Sequence, residues 1–173
     1  FHEAIPGHHL QNALNLENDN LSLYRRFGYY TSAFGEGWAL YSERLSLEIG
    51  LADDLFDELG VLQSELFRAV RLVVDTGMHF KRWTREEAMD YMKKITGMSD
   101  TEVTVEIERY IVWPGQACSY KVGMLKILEL REKAKQELGE SFDIRDFHSA
   151  VLDHGEPPLF IVEELVNEMM NNR

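Results

Sequence analysis

Residues Phe1 to Gln11 read FHEAIPGHHLQ and set the pair His2-Glu3 ahead of two further histidines, His8 and His9, with Pro6-Gly7 between them. A histidine followed by a glutamate opens the pattern H-E-x-x-H. There two histidines one helical turn apart reach one zinc ion, and the glutamate takes a proton from the water that the ion activates. Here the fourth residue after His2 is Pro6. On an ideal helix His8 would lie about 240° round from His2, and His9 about 10 Å further along the axis, so neither pair could chelate one ion undistorted. Pro6 removes an N–H and collides with the carbonyl four residues back, that of His2, while Gly7 permits unusual dihedrals. Together they predict a break or bulge over residues 5–7 that swings His8, or failing it His9, back beside His2. Three of the six histidines fall within residues 2–9, against which the plainer reading is a polar helix end rich in histidine.

A two-histidine zinc site commonly takes its third ligand, a carboxylate, from a helix some tens of residues downstream, and Glu36 in FGEGWALYSE stands where one would look. Glu43 lies about two turns further along the same helix face. It would either orient a ligand histidine from behind or be a solvated carboxylate beside Arg44. Gly35 and Gly37 flank Glu36, and each costs about 1 kcal/mol relative to Ala inside a helix. Their presence predicts that something approaches the backbone closely there.

These groups need a scaffold, and 173 residues suffice for one domain with a real core. The chain is 45% hydrophobic and 28% charged, which excludes wholesale disorder. A net charge of -12 argues against nucleic acid as a partner, since phosphates would be repelled. A lone Cys118 cannot form an internal disulfide. No apolar run reaches the roughly 18 to 20 residues of a membrane span, so a soluble protein is expected, with cytoplasm and periplasm both compatible. A candidate metal motif at the first residues suggests a C-terminal portion of a longer chain, with an upstream segment not in view.

Periodicity predicts helices nearly throughout and no strand, hence an all-α fold in a single helical domain spanning 1–173. Leu55, Leu59, Leu62, Leu66, Val70 and Val73 form an apolar stripe on a helix from about Asp53 to about Thr76, read as core. Thr31 to Ile49 is a helix with Trp38, Leu45 and Ile49 inward. Thr84 with Glu86 and Glu87 caps a helix that Gly97 ends, and Ser99 begins the next, which Pro114-Gly115 breaks after Trp113. Ala117 to Leu138 follows, closed by Gly139. Asp143 caps a short helix carrying Phe147, Val151 and Leu152, and Pro157-Pro158 starts the last. Arg68 and Arg71 with Asp75 read as a structural ion-pair set, and His148 and His154 as structural histidines.

The blocks HEAIPGHHLQ, FGEGWALYSE, RLVVDTGMHFKRWTREEAMDYM, EIERYIVWPGQACSYKVG and FHSAVLDHGEPPL, in that order from Phe1 to Val166, resemble the bacterial DUF885 family. That family has no assigned function and is regarded as zinc-metallopeptidase-like. Its members carry a large helical segment before the H-E motif. In outline it is similar to helical gluzincin peptidases, whose third ligand is a Glu in an F-x-E context, matched here by Phe34-Gly35-Glu36. The resemblance implies a gluzincin-like C-terminal catalytic region, with Zn2+ held by His2, His8 and Glu36, and Glu3 as the base for the metal-bound water. It also asks for a hydroxyl or imidazole that steadies an oxyanion. Tyr120 is the first candidate and Tyr110 the second, each against the plainer reading of a core aromatic. His79 would bind substrate or the oxyanion unless it is a helix-end histidine, and Arg109, Gln116 and Lys121 are weaker substrate contacts. The expected function is a metallopeptidase acting on a peptide substrate. The competing expectation is a non-catalytic helical domain that binds peptides or partners and retains the motif.

Overall fold

The structure, a computed structural model, describes residues 1–52 and 54–172. Among them are nine α-helices and no strand. They are α1 (His8–Glu17), α2 (Leu23–Phe27), α3 (Ser32–Glu48), α4 (Leu55–His79), α5 (Arg85–Thr96), α6 (Asp100–Val112), α7 (Gln116–Leu138), α8 (Ile144–Leu152) and α9 (Leu159–Asn171). None is long and apolar enough to cross a membrane.

Local chemistry sets most boundaries. Thr84 Oγ1 accepts from the Glu87 N–H at 3.2 Å while the Glu87 carboxylate accepts from the Thr84 N–H at 2.7 Å, a reciprocal cap that starts α5. Ser99 and Glu102 repeat it at α6. Gly97 ends α5 at φ 71, a left-handed conformation that favours glycine. The Asp54 carboxylate caps α4; Asp53, where the sequence placed that start, lies outside the described residues.

Helices α3 and α7 form the spine. Ser32 meets Ser119 at one end, Gly37 meets Gly123 midway, and Glu48 meets Arg131 beyond, so the two run in the same direction. A Cβ on Gly37 would sit 2.5 Å from Gly123 Cα, and one on Gly123 would sit 1.9 Å from the Ala33 carbonyl oxygen. This crossing is the close approach expected at Gly37; at Gly35 the neighbours are the Tyr30 and Glu156 side chains instead. Around it Phe34, Trp38, Tyr41, Met124, Ile127 and Leu130 are buried with Phe147, Val151, Val162 and Val166 from α8 and α9. Each such side chain is worth about 2 kcal/mol of transfer free energy. A second cluster joins Val70 and Val74 of α4 to Met92, Val103, Ile107 and Tyr110, and α7 reaches it through Ala117.

Three expectations need correction. The apolar stripe of α4 is not core along its length: Val70 is buried, but Leu55, Leu59, Leu62, Leu66 and Val73 are exposed. The period reported an amphipathic helix correctly, but α5, α6 and α7 cover only its C-terminal half. Ile49, expected inward, is exposed because it caps α3 beyond the last packed turn. Asp75 forms no ion pair with either arginine among the described residues; its carboxylate accepts the Gly115 N–H at 3.0 Å, and Arg71 pairs with Glu106 instead.

Candidate metal centre

Residues 2–7 are not a kinked helix but a turn before α1. The Gly7 N–H donates to the Phe1 carbonyl at 3.1 Å and the His8 N–H to the His2 carbonyl at 2.8 Å. The Ile5–Pro6 peptide is cis. Gly7 is required because a Cβ there would stand 1.9 Å from the His2 carbonyl oxygen. The Pro6 carbonyl is clamped to α3, accepting from Trp38 Nε1 at 2.9 Å and Ser42 Oγ at 3.2 Å. The two histidines thus arrive from the turn and from the first residue of α1, above the face of α3 that carries Glu36 and Glu43.

Glu36 Oε2 lies 3.5 Å from His2 Nε2 and 3.3 Å from His8 Nε2. Ligand atoms of His2, Glu3 and His8 all fall within 4.8 Å of one another. Four ligands held 2.0 to 2.2 Å from a zinc ion at tetrahedral corners are about 3.4 Å apart. The Glu36 contacts match that edge. As charged hydrogen bonds they are long, since such bonds run about 2.7 to 2.9 Å. His2 Nδ1 and Glu43 Oε1 make the short contact instead, at 2.6 Å. Nδ1 thus donates to Glu43, and the ring is held with Nε2 facing Glu36. Two imidazoles and a carboxylate, held this way, are a donor set that suits zinc.

The same groups shift one another's protonation. Burial disfavours charge on Glu36, yet the neighbouring His2, His8 and Tyr120 hold its carboxyl far below the usual range. Burial likewise opposes ionisation of Glu43, but His2, Ser64 and Arg68 lower it. The His2 imidazole is raised: burial works against protonation and is outweighed by Glu36 and Glu43. His8 is raised chiefly by its bond to Glu36. Ser64 and Arg68 are four residues apart on α4, and both face Glu43.

The other sequence candidates divide. Tyr120 is at the site, its ring stacked on His2 with centroids 6.0 Å apart, and it helps to lower the Glu36 carboxyl. Glu3 is exposed beside the histidines, and His9, one residue past His8, is exposed. Gln116 accepts from Arg109 Nη2 at 2.6 Å and reaches Ser32, one turn below Glu36. Tyr110 is buried, its hydroxyl taken up by Glu106 at 2.5 Å and Arg71 at 2.9 Å. His79 Nε2 bonds the Tyr110 carbonyl oxygen at 2.9 Å; it lies about 16 Å along α4 from Arg68 at 1.5 Å per residue. Lys121 is bound to Glu65 at 2.5 Å.

Two groups at the site escaped the sequence reading. Tyr30 points its hydroxyl at Glu36 Oε1, 3.5 Å away, and burial followed by Glu36 pushes it up to about 12. Glu156 is buried, with coulombic coupling to His8 and Glu36, and burial raises its carboxyl. Neither carried a local signal: Tyr30 comes from the loop before α3 and Glu156 from the loop before α9.

Residues 1–166 match the family described as "Bacterial protein of unknown function (DUF885)". The crystal structure of a protein from Colwellia psychrerythraea, described as a "putative lipoprotein", is 55% identical and superposes with a TM-score of 0.96 over 99% of this chain. The chain covers 29% of that neighbour's length. No curated protein matches.

Proposed function

The chain belongs to the DUF885 family of bacterial proteins, and from the geometry of its site we propose that it carries the metal centre of a zinc-dependent hydrolase, a gluzincin-like metallopeptidase. The observation that supports this most is the contrast of distances around Glu36. Its 3.5 and 3.3 Å contacts to two Nε2 atoms are too long for good charged hydrogen bonds and right for co-ligands of one ion.

In this reading His2, His8 and Glu36 hold zinc. Bound there, the ion supplies Lewis acidity, polarising a carbonyl and bringing the pKa of water toward about 7. Glu43 keeps the Nδ1 proton on His2 and so keeps Nε2 available. The Glu3 carboxylate accepts the proton of the attacking water and returns it to the leaving amine. Tyr120, anchored on rigid α7, donates its hydroxyl to the oxyanion that develops on the peptide carbonyl. The substrate in this reading is a peptide.

A second reading, a helical domain that binds a partner without catalysis, draws on the exposed apolar face of α4. One experiment separates them. Zinc content of the complete protein is measured, and hydrolysis of a mixed peptide library is compared between the parent and Glu3→Gln. Stoichiometric zinc with cleavage lost in Glu3→Gln is expected. A protein purified and reconstituted without any zinc bound would sink the metallopeptidase reading, and zinc without cleavage would favour the second.

A further inference from the structure

Arg68, which the sequence placed in a structural ion-pair set with Arg71 and Asp75, stands instead behind the metal centre. Its route there runs through Ser64, one turn back on α4. Arg68 Nη1 donates to Ser64 Oγ at 2.5 Å, and Ser64 Oγ donates to Glu43 Oε2. Glu43 Oε1 takes the Nδ1 proton of His2 at 2.6 Å. Four side chains from α4, α3 and the turn before α1 are thus joined end to end, and the last of them presents Nε2 to Glu36. A serine inside a helix commonly turns its hydroxyl onto the carbonyl four residues back. The Ser64 proton goes across to α3.

The order of protons along this chain has one solution. A guanidinium only donates, and it keeps its proton in proteins. Ser64 must therefore accept from Arg68, which leaves its single proton for Glu43. Arg68 Nη2 lies 3.7 Å from Glu43 Oε1, a positive charge that favours Glu43 as the carboxylate, an acceptor at both oxygens. His2 Nδ1 must then be the donor, and Nε2 is left with its lone pair. At 3.7 Å the direct contact of Arg68 with Glu43 is an ion pair too long for a hydrogen bond, so the directed link is the one through Ser64. The side chains of Arg68 and Glu43 are 18% and 11% exposed, so the pair is screened little by water.

We propose that Arg68 and Ser64 are positioning residues for the metal ligand His2: a donor-only group heads a one-way relay that sets the His2 tautomer through Glu43. This rests on the zinc reading above. A carboxylate alone could turn about its side-chain torsions or take up a proton, and either change would release Nδ1. Ser64 occupies the second oxygen and Arg68 supplies the charge, so both routes are closed. Helix α4 thereby belongs to the metal centre although none of its residues is a ligand.

The test is zinc affinity of the complete protein, read by competition with a chromophoric chelator, with circular dichroism to report folding. Arg68 also lies 5.9 Å from the centroid of the Tyr120 ring, so Ser64 is the cleaner position to change. Ser64→Ala breaks the relay, and its zinc dissociation constant is expected to rise about 5- to 10-fold. Ser64→Thr keeps the hydroxyl and is expected to bind zinc as the parent does. Arg68→Gln, whose amide can turn its carbonyl toward Ser64 and reverse the relay, is expected to weaken binding as Ser64→Ala does. In a Glu43→Gln background the relay is already broken, and adding Ser64→Ala is expected to cost less than about 2-fold more. A role in packing alone would cost the same factor in both backgrounds. That equality, or Ser64→Thr as weak as Ser64→Ala while still folded, or parent-like affinity in both Ser64→Ala and Arg68→Gln, would overturn the proposal with the zinc reading intact. A parent protein that binds no zinc would overturn both.

Discussion

The backbone N–H of His8 donates to the carbonyl oxygen of His2 across 2.8 Å, spanning six residues where a helix would span four. This bond sets the spacing of the motif. It brings two side chains that an α-helix would separate to ring centroids 5.0 Å apart. The arrangement has no tolerance at Gly7, where the chain passes against its own carbonyls.

Gly7→Ala is therefore expected to remove the site. Its Cβ would meet the His2 carbonyl oxygen at 1.9 Å, and relief requires moving the turn. A stability loss of about 1–3 kcal/mol is expected, with zinc affinity reduced more than 10-fold. Gly60→Ala is the contrast, because nothing lies within 4 Å of a Cβ there. In the helical interior of α4 that change is expected to stabilise by about 0.5–1 kcal/mol. Chemical denaturation of both variants checks the pair.

Glu43→Gln keeps a hydrogen-bonding group behind His2 but removes its charge. Zinc binding is expected to weaken about 10-fold or more, with helix content unchanged. Chelator competition measures it, and an unaltered affinity would show that Glu43 is only a neighbour.

Gly37→Ala and Gly123→Ala each force α3 and α7 apart. A loss of about 2–3 kcal/mol is expected, which for a chain of this size lowers the Tm by roughly 5–10 °C. Thermal unfolding is the measurement. Because Glu36 and Tyr120 sit on opposite sides of this contact, zinc affinity is expected to fall as well.

His148 gives the acid dependence. Its Nε2 accepts the Tyr41 hydroxyl at 2.8 Å, and burial, then the nearby Arg131, lowers the imidazole to about 4 from 6.5. Between those values the unfolded chain binds the extra proton, so stability is fully present above about pH 6.5 and falls as pH drops toward 4. The ring is partly exposed, which limits the loss to about 2 kcal/mol. His148→Gln keeps an acceptor for Tyr41 without the titration. Its Tm is expected to fall less steeply than the parent's between pH 7 and pH 4.5, and parallel curves would refute the assignment.

Much of the scaffold could be read from local chemistry. Thr84, Ser99, Gly97 and Asp143 mark helix ends because the caps they form are completed within a few residues. Pro6-Gly7 announced a departure from the helix, though its form, a turn rather than a kink, depended on bonds from Trp38 and Ser42 that no local pattern records. Glu36 was reachable through the F-x-E resemblance, and the glycines beside it through helix propensity. Leu55 to Leu66 show the opposite case: spacing tells that a face is apolar, and burial depends on what lies across from it. Tyr30 and Glu156 left no trace, since only the folded chain brings their side chains beside Glu36 and Gly35.

At Gly37 and Gly123 the helices that carry Glu36 and Tyr120 meet backbone on backbone, with no side chain between them. Such a joint has no shim. Exchanging one apolar residue for another elsewhere in the core can tighten or loosen the packing, but it cannot regulate the gauge between these two helices in small steps. A redesign that seeks a wider or narrower mouth above Glu36 has its freedom on the opposite wall, in the turn of residues 2–7 and the loop that brings Tyr30.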